Sequence, residues 1–395
     1  MSENKEPLNK NNKVPKVRFS KFKNDWKLIS INDISTKEKH SFTGGPFGSN
    51  LKVCDYTNCG VRVIQLNNIN DIYFNDENKV FVSDSKANSL KSCNAFPGDL
   101  IFAKMMPAGR LCILPNTYSR YLLGSDAIRL NLNISKFDPF FILEDINRPA
   151  IRNSITSRTA GSTRQRIGLP ELKRTKFYCP DLLEQTKIGD FFRKIEGKID
   201  VTTKKIDILK KYKEGLCNNF FNDTASRKIT LETLVCNCPS QLLTKDIEKN
   251  LGIYPVYDAS GKPYKHIDFY QQEKDCVSII KYGSGCGRTF LASGKHSILG
   301  TMTDLKPKSV NPIFIYAFTI SQSFRRVVKK YTEIGTTPNL YFSDYGKAII
   351  SESALKNEGK IVSIINDLEL QQLMLQSKLV SLTRLKNYLL KNLFI

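Results

Sequence analysis

Lys187 to Phe221 reads KIGDFFRKIEGKIDVTTKKIDILKKYKEGLCNNFF, and Lys360 to Phe394 reads KIVSIINDLELQQLMLQSKLVSLTRLKNYLLKNLF, two equal stretches at a constant offset of 173 residues. In the first, Ile188, Phe192, Ile195, Ile199, Thr202, Ile206, Leu209, Lys213, Leu216 and Phe220 alternate in steps of four and three. That is the heptad seam of a coiled coil with two polar interruptions. Adding the offset gives Ile361, Ile365, Leu368, Gln372, Leu375, Leu379, Leu382, Lys386, Leu389 and Leu393, so Lys213 and Lys386 hold the same place. Left in water, each apolar side chain would cost about 1.5–3 kcal/mol relative to burial. The two stripes most simply bury each other.

The repeat reaches back from the helices. A glycine- and hydroxyl-rich loop precedes each, AGSTRQRIGLPELKRTKFYCPD (Ala160 to Asp181) and IGTTPNLYFSDYGKAIISES (Ile334 to Ser353). Before each loop the sequence predicts a short helix opened by an N-cap and a proline, Asp138-Pro139-Phe140-Phe141 and Asn311-Pro312-Ile313-Phe314. Further back, Gly109-Arg110 answers Gly287-Arg288, and YLLGSDA (Tyr121 to Ala127) answers SILGTMT (Ser297 to Thr303). The chain reads as a globular domain plus a long helix, written twice. Strand-like runs at Gly60 (GVRVIQL), Asp99 (DLIFAK) and Cys276 (CVSIIKY) mix with flanking helices in an α+β pattern.

With 395 residues, 41% of them hydrophobic, the chain can bury two or more cores. Its formal charge of +22 points to a polyanion as partner. No apolar run approaches the ~18 residues of a membrane span, and MSENKEPLNKNNK lacks the apolar core of a signal peptide. A cytoplasmic location without membrane contact is expected, with residues 1 to about 13 a polar, disordered tail. The ten cysteines form no CxxC pair and there are three histidines, so no zinc site is expected.

Several segments resemble the specificity subunit of type I restriction-modification systems. They are VPKVRFSKFKNDWKLISINDI (Val14 to Ile34), GGPFGSNLK (Gly44 to Lys52), PGDLIFAK (Pro97 to Lys104), CPDLLEQTKI (Cys179 to Ile188) and YPVYDASGK (Tyr254 to Lys262), and their order spans nearly the whole chain. The resemblance implies two target-recognition domains, each reading half of an asymmetric, interrupted DNA sequence, and two helices that lie antiparallel and dock methyltransferase subunits. It further implies two methyltransferase copies, restriction and translocase subunits held through them, and S-adenosylmethionine bound in the methyltransferase, with no cofactor in this chain. The second helix departs from the family pattern, with Ser353 and Asn357-Glu358 where the first has Pro180 and Glu184-Gln185.

Elementary geometry reaches the same layout. Related halves pack about a pseudo-two-fold axis, which makes the helix pair antiparallel with a domain at each end. A helix of ~35 residues is ~50 Å long, enough to hold two readers about one duplex turn apart. The expected fold is therefore α+β, two pseudo-repeated recognition domains joined by two long helices in an antiparallel coiled coil. The expected segments are a tail and entry at 1–25, recognition domains at 26–168 and 223–339, and helical regions at 169–222 and 340–395. Once the seams are buried, the outer faces, with Phe191 and Ile364, remain for another subunit.

Catalytic alternatives have weak support. Asn311-Pro312-Ile313-Phe314 differs by one residue from the Asn-Pro-Pro-Phe type motif of adenine methyltransferases, but a helix start explains it and its first-half counterpart. YGSGCGR (Tyr282 to Arg288) reads as a hairpin turn, PDLLEQTK (Pro180 to Lys187) has the wrong spacing for a nuclease, and ASGKP (Ala259 to Pro263) is no phosphate loop. The alternatives to a non-catalytic DNA reader are a fused methyltransferase or nuclease component, and a basic coiled-coil scaffold binding nucleic acid without sequence choice.

Base readers belong on loops of a rigid scaffold. The candidates are Ser49, Asn50 and Lys52, then Lys104 and Arg110, then Lys281, Tyr282, Ser284 and Arg288. Arg110 and Arg288 could take guanine bidentately, the glycine before each letting backbone approach DNA, or could serve only a structural turn. For phosphates, Arg148 to Lys176 carries eight basic residues, Arg152 and Arg164 among them, against Glu171 alone. In the second half Arg325, Arg326, Lys329 and Lys330 share one helical segment, and Arg325 corresponds to Arg152.

Overall fold

The computed structural model describes residues 14–161, 165–223, 225–332 and 338–395. The expected disordered tail, 1–13, lies outside the described residues. The chain forms two compact units, Met1–Asp200 with Val380–Ile395, and Val201–Leu379. Where the sequence suggested helical regions separate from the domains, these units divide each long helix between them.

Both units repeat one strand order. In the first, Phe42–Gly44, Ala127–Leu130, Leu100–Ala103 and Leu111–Ile113 lie side by side antiparallel, with Ile72–Tyr73 added parallel at the edge. In the second, Val235–Pro239, Met302–Pro307, Cys276–Ile280 and Thr289–Ala292 follow the same order. The second sheets match too. Phe81–Val82 pairs antiparallel with Val61–Ile64, which runs parallel to Tyr121–Leu123; Pro263–Ile267 pairs antiparallel with Tyr254–Tyr257, which runs parallel to Ser297–Ile298. A two-stranded clasp closes each unit, Lys27–Ser30 against Lys176–Cys179 and Lys228–Thr230 against Ile349–Ser351.

Short helices link each sheet to the long helices. In the first unit they are Pro139–Asn147 (α1) and Pro149–Thr156 (α2), before the long helix Leu182–Phe220 (α3); in the second, Pro312–Ile320 (α4) and Gln322–Tyr331 (α5), before Glu358–Asn392 (α6). The Asp138 carboxylate accepts the N–H groups of Phe140 and Phe141 (3.0 and 2.8 Å), and the Asn311 amide oxygen accepts that of Ile313 (2.8 Å). The departure at the second long helix proves superficial. The Gln185 amide oxygen accepts the backbone N–H of Asp138 (3.0 Å), and the Glu358 carboxylate, 173 residues on, accepts that of Asn311 (2.5 Å). Gly189 is required for this seat, because a β-carbon there would lie 2.2 Å from Asp138 Oδ1.

At 39 residues, α3 is ~58 Å long at the helical rise per residue. In the first unit its Ile188, Phe192 and Ile195 share a core with Leu389 of α6, with Leu393 and Phe394 just beyond it, and with Trp26, Phe141 and Ile142, while Ile199 and Leu382 are half-buried. In the second unit Ile206 is buried, and Leu209 and Leu216 pack around Cys217, Phe221, Ile361, Ile365 and Leu368. Leu375 and Leu379 are half-buried there. Each unit thus joins the early part of one helix to the late part of the other, an antiparallel pair.

The two seam lysines confirm the register. Lys213 of α3 pairs with Glu369 of α6, and Lys386 of α6 pairs with Glu196 of α3 at 2.5 Å. Glu196 and Glu369 are again 173 residues apart, so the pairs are reciprocal. Lys386 also meets the Glu144 carboxylate of α1 at 3.2 Å, whereas Lys213 lies 3.4 Å from the Tyr316 hydroxyl of α4. Among the described residues no helix is long and apolar enough to cross a membrane.

Candidate nucleic-acid interface

In the first unit the GGPFGSNLK turn is seated on the YLLGSDA segment. The Gly45 N–H donates to the Ala127 carbonyl (2.9 Å), and a β-carbon on Gly45 would lie 1.8 Å from the Gly124 oxygen. Pro46 is buried and the Asn50 N–H closes on the Phe47 carbonyl (2.8 Å). The turn therefore holds Ser49, Asn50 and Lys52 exposed, with Phe47 83% exposed among them. Sequence reasoning missed Phe47; an aromatic residue in a glycine- and proline-rich turn was the available signal.

Lys104 and Lys281 end equivalent strands and do equivalent backbone work. Their N–H groups donate to the carbonyls of Asp126 (2.8 Å) and Thr301 (2.9 Å), and their carbonyls accept from Ile167 (2.9 Å) and Leu340 (3.0 Å), which are 173 residues apart. Both side chains are half-buried. The Lys281 ammonium lies 5.4 Å from the ring centre of exposed Tyr282, and burial pulls its pKa below the usual lysine value. Ser284 is exposed beyond it.

The glycines before Arg110 and Arg288 each sit against a helix. Gly109 (φ +78°) and Gly287 (φ +79°) are left-handed, and a β-carbon would meet Ile155 at 2.8 Å and Val328 at 2.2 Å. Ile155 and Val328 are equivalent positions of α2 and α5. The missing side chain makes room for a helix at both glycines. Arg110 is half-buried with its Nε sequestered, while Arg288 is exposed and donates to the Ala259 carbonyl (3.2 Å).

The basic run of the first unit is not one surface. Arg148 is buried against Asp145 (2.5 Å) and donates to the Ile395 carbonyl (2.8 Å). Arg152, 15% exposed, is held by Asp71 at 2.5 Å and by the Asn147 amide oxygen at 3.3 Å. Arg166 meets Asp126 at 3.3 Å, and Arg164 lies outside the described residues. Asp71 and Asp126 stand far away in sequence, and Asp145 lies three residues before the counted run begins, which is why charge counting overstates the free cations here.

The second unit keeps its cations accessible. Arg325 and Glu214 of α3 form a half-exposed pair at 2.9 Å, and among the described residues exposed Arg326 and Lys329 enter no ion pair. Arg288, Arg325 and Lys329, from a turn and a helix, line one cleft together with Lys210 and Lys213 of α3. Lys210 was missed by sequence reasoning; the signal was its spacing of three from the seam lysine, which puts both on one helix face.

One buried trio resembles a catalytic set without its order. The Ser278 hydroxyl donates to Asp304 Oδ1 (2.6 Å), and His296 Nε2 lies 3.3 Å from Asp304 Oδ2, all three fully buried. The carboxylate stands between serine and histidine, so the imidazole cannot take the hydroxyl proton. Burial works to lower the His296 pKa, but Asp304 outweighs it and the net direction is up.

Residues 23–211 match a family model described as the type I restriction modification DNA specificity domain. The chain is similar, at 21% identity over 212 residues, to the Methanocaldococcus jannaschii protein named "Putative type I restriction enzyme MjaX specificity subunit". That alignment spans 52% of this chain and 48% of the relative, about half its length. Among solved structures, the type I restriction-modification S subunit from M. genitalium matches with a TM-score of 0.66 and 18% identity, covering 97% of this chain and 99% of that one. A chain from a structural study of complex assembly and conformational transition of the type I R-M system matches with a TM-score of 0.52 at 13% identity, over 93% of this chain and 97% of that one. At these identities the structural likeness speaks to the fold.

Proposed function

We propose, from the match of residues 23–211 to the type I restriction modification DNA specificity domain, that this chain is the DNA-reading subunit of such a complex, with each unit reading one half of an interrupted, asymmetric target. It performs no catalytic step itself. The observation that carries this reading is the repeat: one strand order, one helix-start contact and one reciprocal lysine–glutamate pair, each made twice. Ser49, Asn50 and Lys52 in the first unit, and Lys281, Tyr282 and Ser284 in the second, are the proposed base readers, since they stand on turns pinned by backbone bonds.

The outer helix faces are the proposed seat of two methyltransferase subunits, through which restriction and translocase subunits would join; S-adenosylmethionine belongs to the methyltransferase. In support, Val201 and Tyr212 of α3 and their equivalents Met374 and Leu385 of α6 are all exposed. Phe191 is 36% exposed and Ile364 half-buried. The test is methylome sequencing of cells expressing this chain with its methyltransferase partner, before and after one recognition domain is exchanged for that of a related protein. One half of the methylated sequence should change and the other stay, because distant contacts add nearly independently. Change in both halves would refute two separate readers, and binding that random duplex competes away equally would favour the non-specific scaffold.

A further inference from the structure

In the second unit, α3, the turn at Cys286 to Thr289 and the helices α4 and α5 enclose an open cleft of about 630 Å³. Among the described residues five basic side chains line it, Lys210, Lys213, Arg288, Arg325 and Lys329, against one carboxylate, Glu214. Their charge is only partly used. Lys213 is buried against Glu369, but Arg288 holds a neutral carbonyl, Lys210 lies 4.0 Å from Asp207 on its own helix, and Arg325 shares the half-exposed Glu214. A second opening of about 500 Å³ shares Arg325 and Lys329 and adds Arg326, so the cationic lining continues along α5.

A cluster of like charges held this close is self-repelling, and it is relieved by an anion. The size is more than one phosphate needs and suits a length of sugar–phosphate strand. Hydroxyls are at hand as further donors, since Thr289 and Thr319 lie 3.0 Å apart on the wall. The equivalent place in the first unit lacks this lining: Arg152 is neutralised by Asp71, Arg110 is half-buried, and Thr156 and Thr383 stand where Lys329 and Lys210 do.

We propose that this cleft is a phosphodiester-binding site that grips the backbone of the DNA read by the second unit. The proposal rests on the chain being a DNA reader. The test uses the full chain, a labelled random-sequence duplex, and anisotropy over a range of salt. Lys210→Gln with Arg325→Gln and Lys329→Gln should flatten the slope of log affinity against log salt by roughly two to three and weaken binding at least tenfold at moderate salt. Glu214→Gln, which removes a carboxylate of the lining, should tighten binding several-fold, a gain that misfolding cannot mimic. An unchanged slope in the triple variant, or weaker binding in Glu214→Gln at an unaltered melting temperature, would overturn the site. Pyrophosphate tests the other source of the same chemistry: micromolar calorimetric binding, lost in the triple variant while DNA binding is not, would make this a free-phosphate site and overturn the backbone assignment. Failure of the wild-type chain to bind any duplex would instead remove the DNA-reader premise, and the clamp with it.

Discussion

Lys386 in the first unit and Lys213 in the second hold one heptad position and one reciprocal partner, yet their surroundings differ. Lys386 faces a second carboxylate, Glu144, 1% exposed; Lys213 faces the Tyr316 hydroxyl instead. The position equivalent to Glu144 is Ala317, buried and apolar. The repeat therefore keeps what the two helices need from each other, while each domain supplies its own side of the contact. The same split governs the cations: the first unit spends Arg152 on Asp71, and the second leaves Arg325 half-exposed at the mouth of a basic cleft.

The strongest way to break the equivalence is to remove each lysine. Lys386→Met leaves Glu144 and Glu196 facing each other with one of them buried, and should cost about 3–5 kcal/mol. Lys213→Met leaves Glu369, 27% exposed, free to hydrate, and should cost about 1–2 kcal/mol. Trp26, the chain's one tryptophan, is buried beside Phe394 in the first unit, so its fluorescence during urea unfolding reports that unit. Hydrogen exchange follows the second. Equal losses would mean that the domain-side partners do not matter.

The glycine turns sharpen the comparison at a smaller scale. Gly287→Ala puts a β-carbon 2.2 Å from Val328 at a positive φ, and Gly109→Ala one 2.8 Å from Ile155. Each should cost about 2–4 kcal/mol, the second-unit variant more. Val328 is half-buried, so Val328→Ala should recover part of the Gly287→Ala loss. Ile155 is fully buried, and Ile155→Ala should deepen the Gly109→Ala loss through the cavity it leaves. Melting of the four variants decides this; recovery in both units, or in neither, would contradict the packing described.

These features differ in how far they could be read in advance. The seam was legible because periodicity is a local property, and every seam position is buried or half-buried. Lys213 and Lys386 were visible only as interruptions, since Glu196 and Glu369 lie off the seam and meet them only once the helices run antiparallel. Strands could be located, but not their shared order, which depends on pairings across tens of residues. Gly109 and Gly287 could be marked as turn or close-approach positions from residue type; that a helix fills the space beside them could not. Arg152 looked like a free cation because nothing local names Asp71, 81 residues away, as its partner, whereas Asp145 stands only three residues before Arg148 and was passed over because the count began at Arg148.

The subtlest difference between the units is a titration. Burial, with Glu196 adding to it and Lys386 opposing, pushes the Glu144 carboxyl up to about 7, and the second unit has no acid at this position. A carboxyl whose pKa is raised on folding holds its proton more tightly in the native state. Its contribution to stability is then intact near pH 4.5, declines as pH rises toward 7, and is fully lost above that. The span between the ordinary and raised values corresponds to about 3–4 kcal/mol at most, less where the surroundings relax. Glu144→Gln abolishes the titration and leaves the Lys386–Glu196 pair in place. It should match the wild-type melting temperature near pH 5 and exceed it near pH 8, with the gap opening between and seen by Trp26 fluorescence. A gap that is constant with pH, or that closes as pH rises, would show that Glu144 is ionised throughout and that Lys386 serves two carboxylates at once.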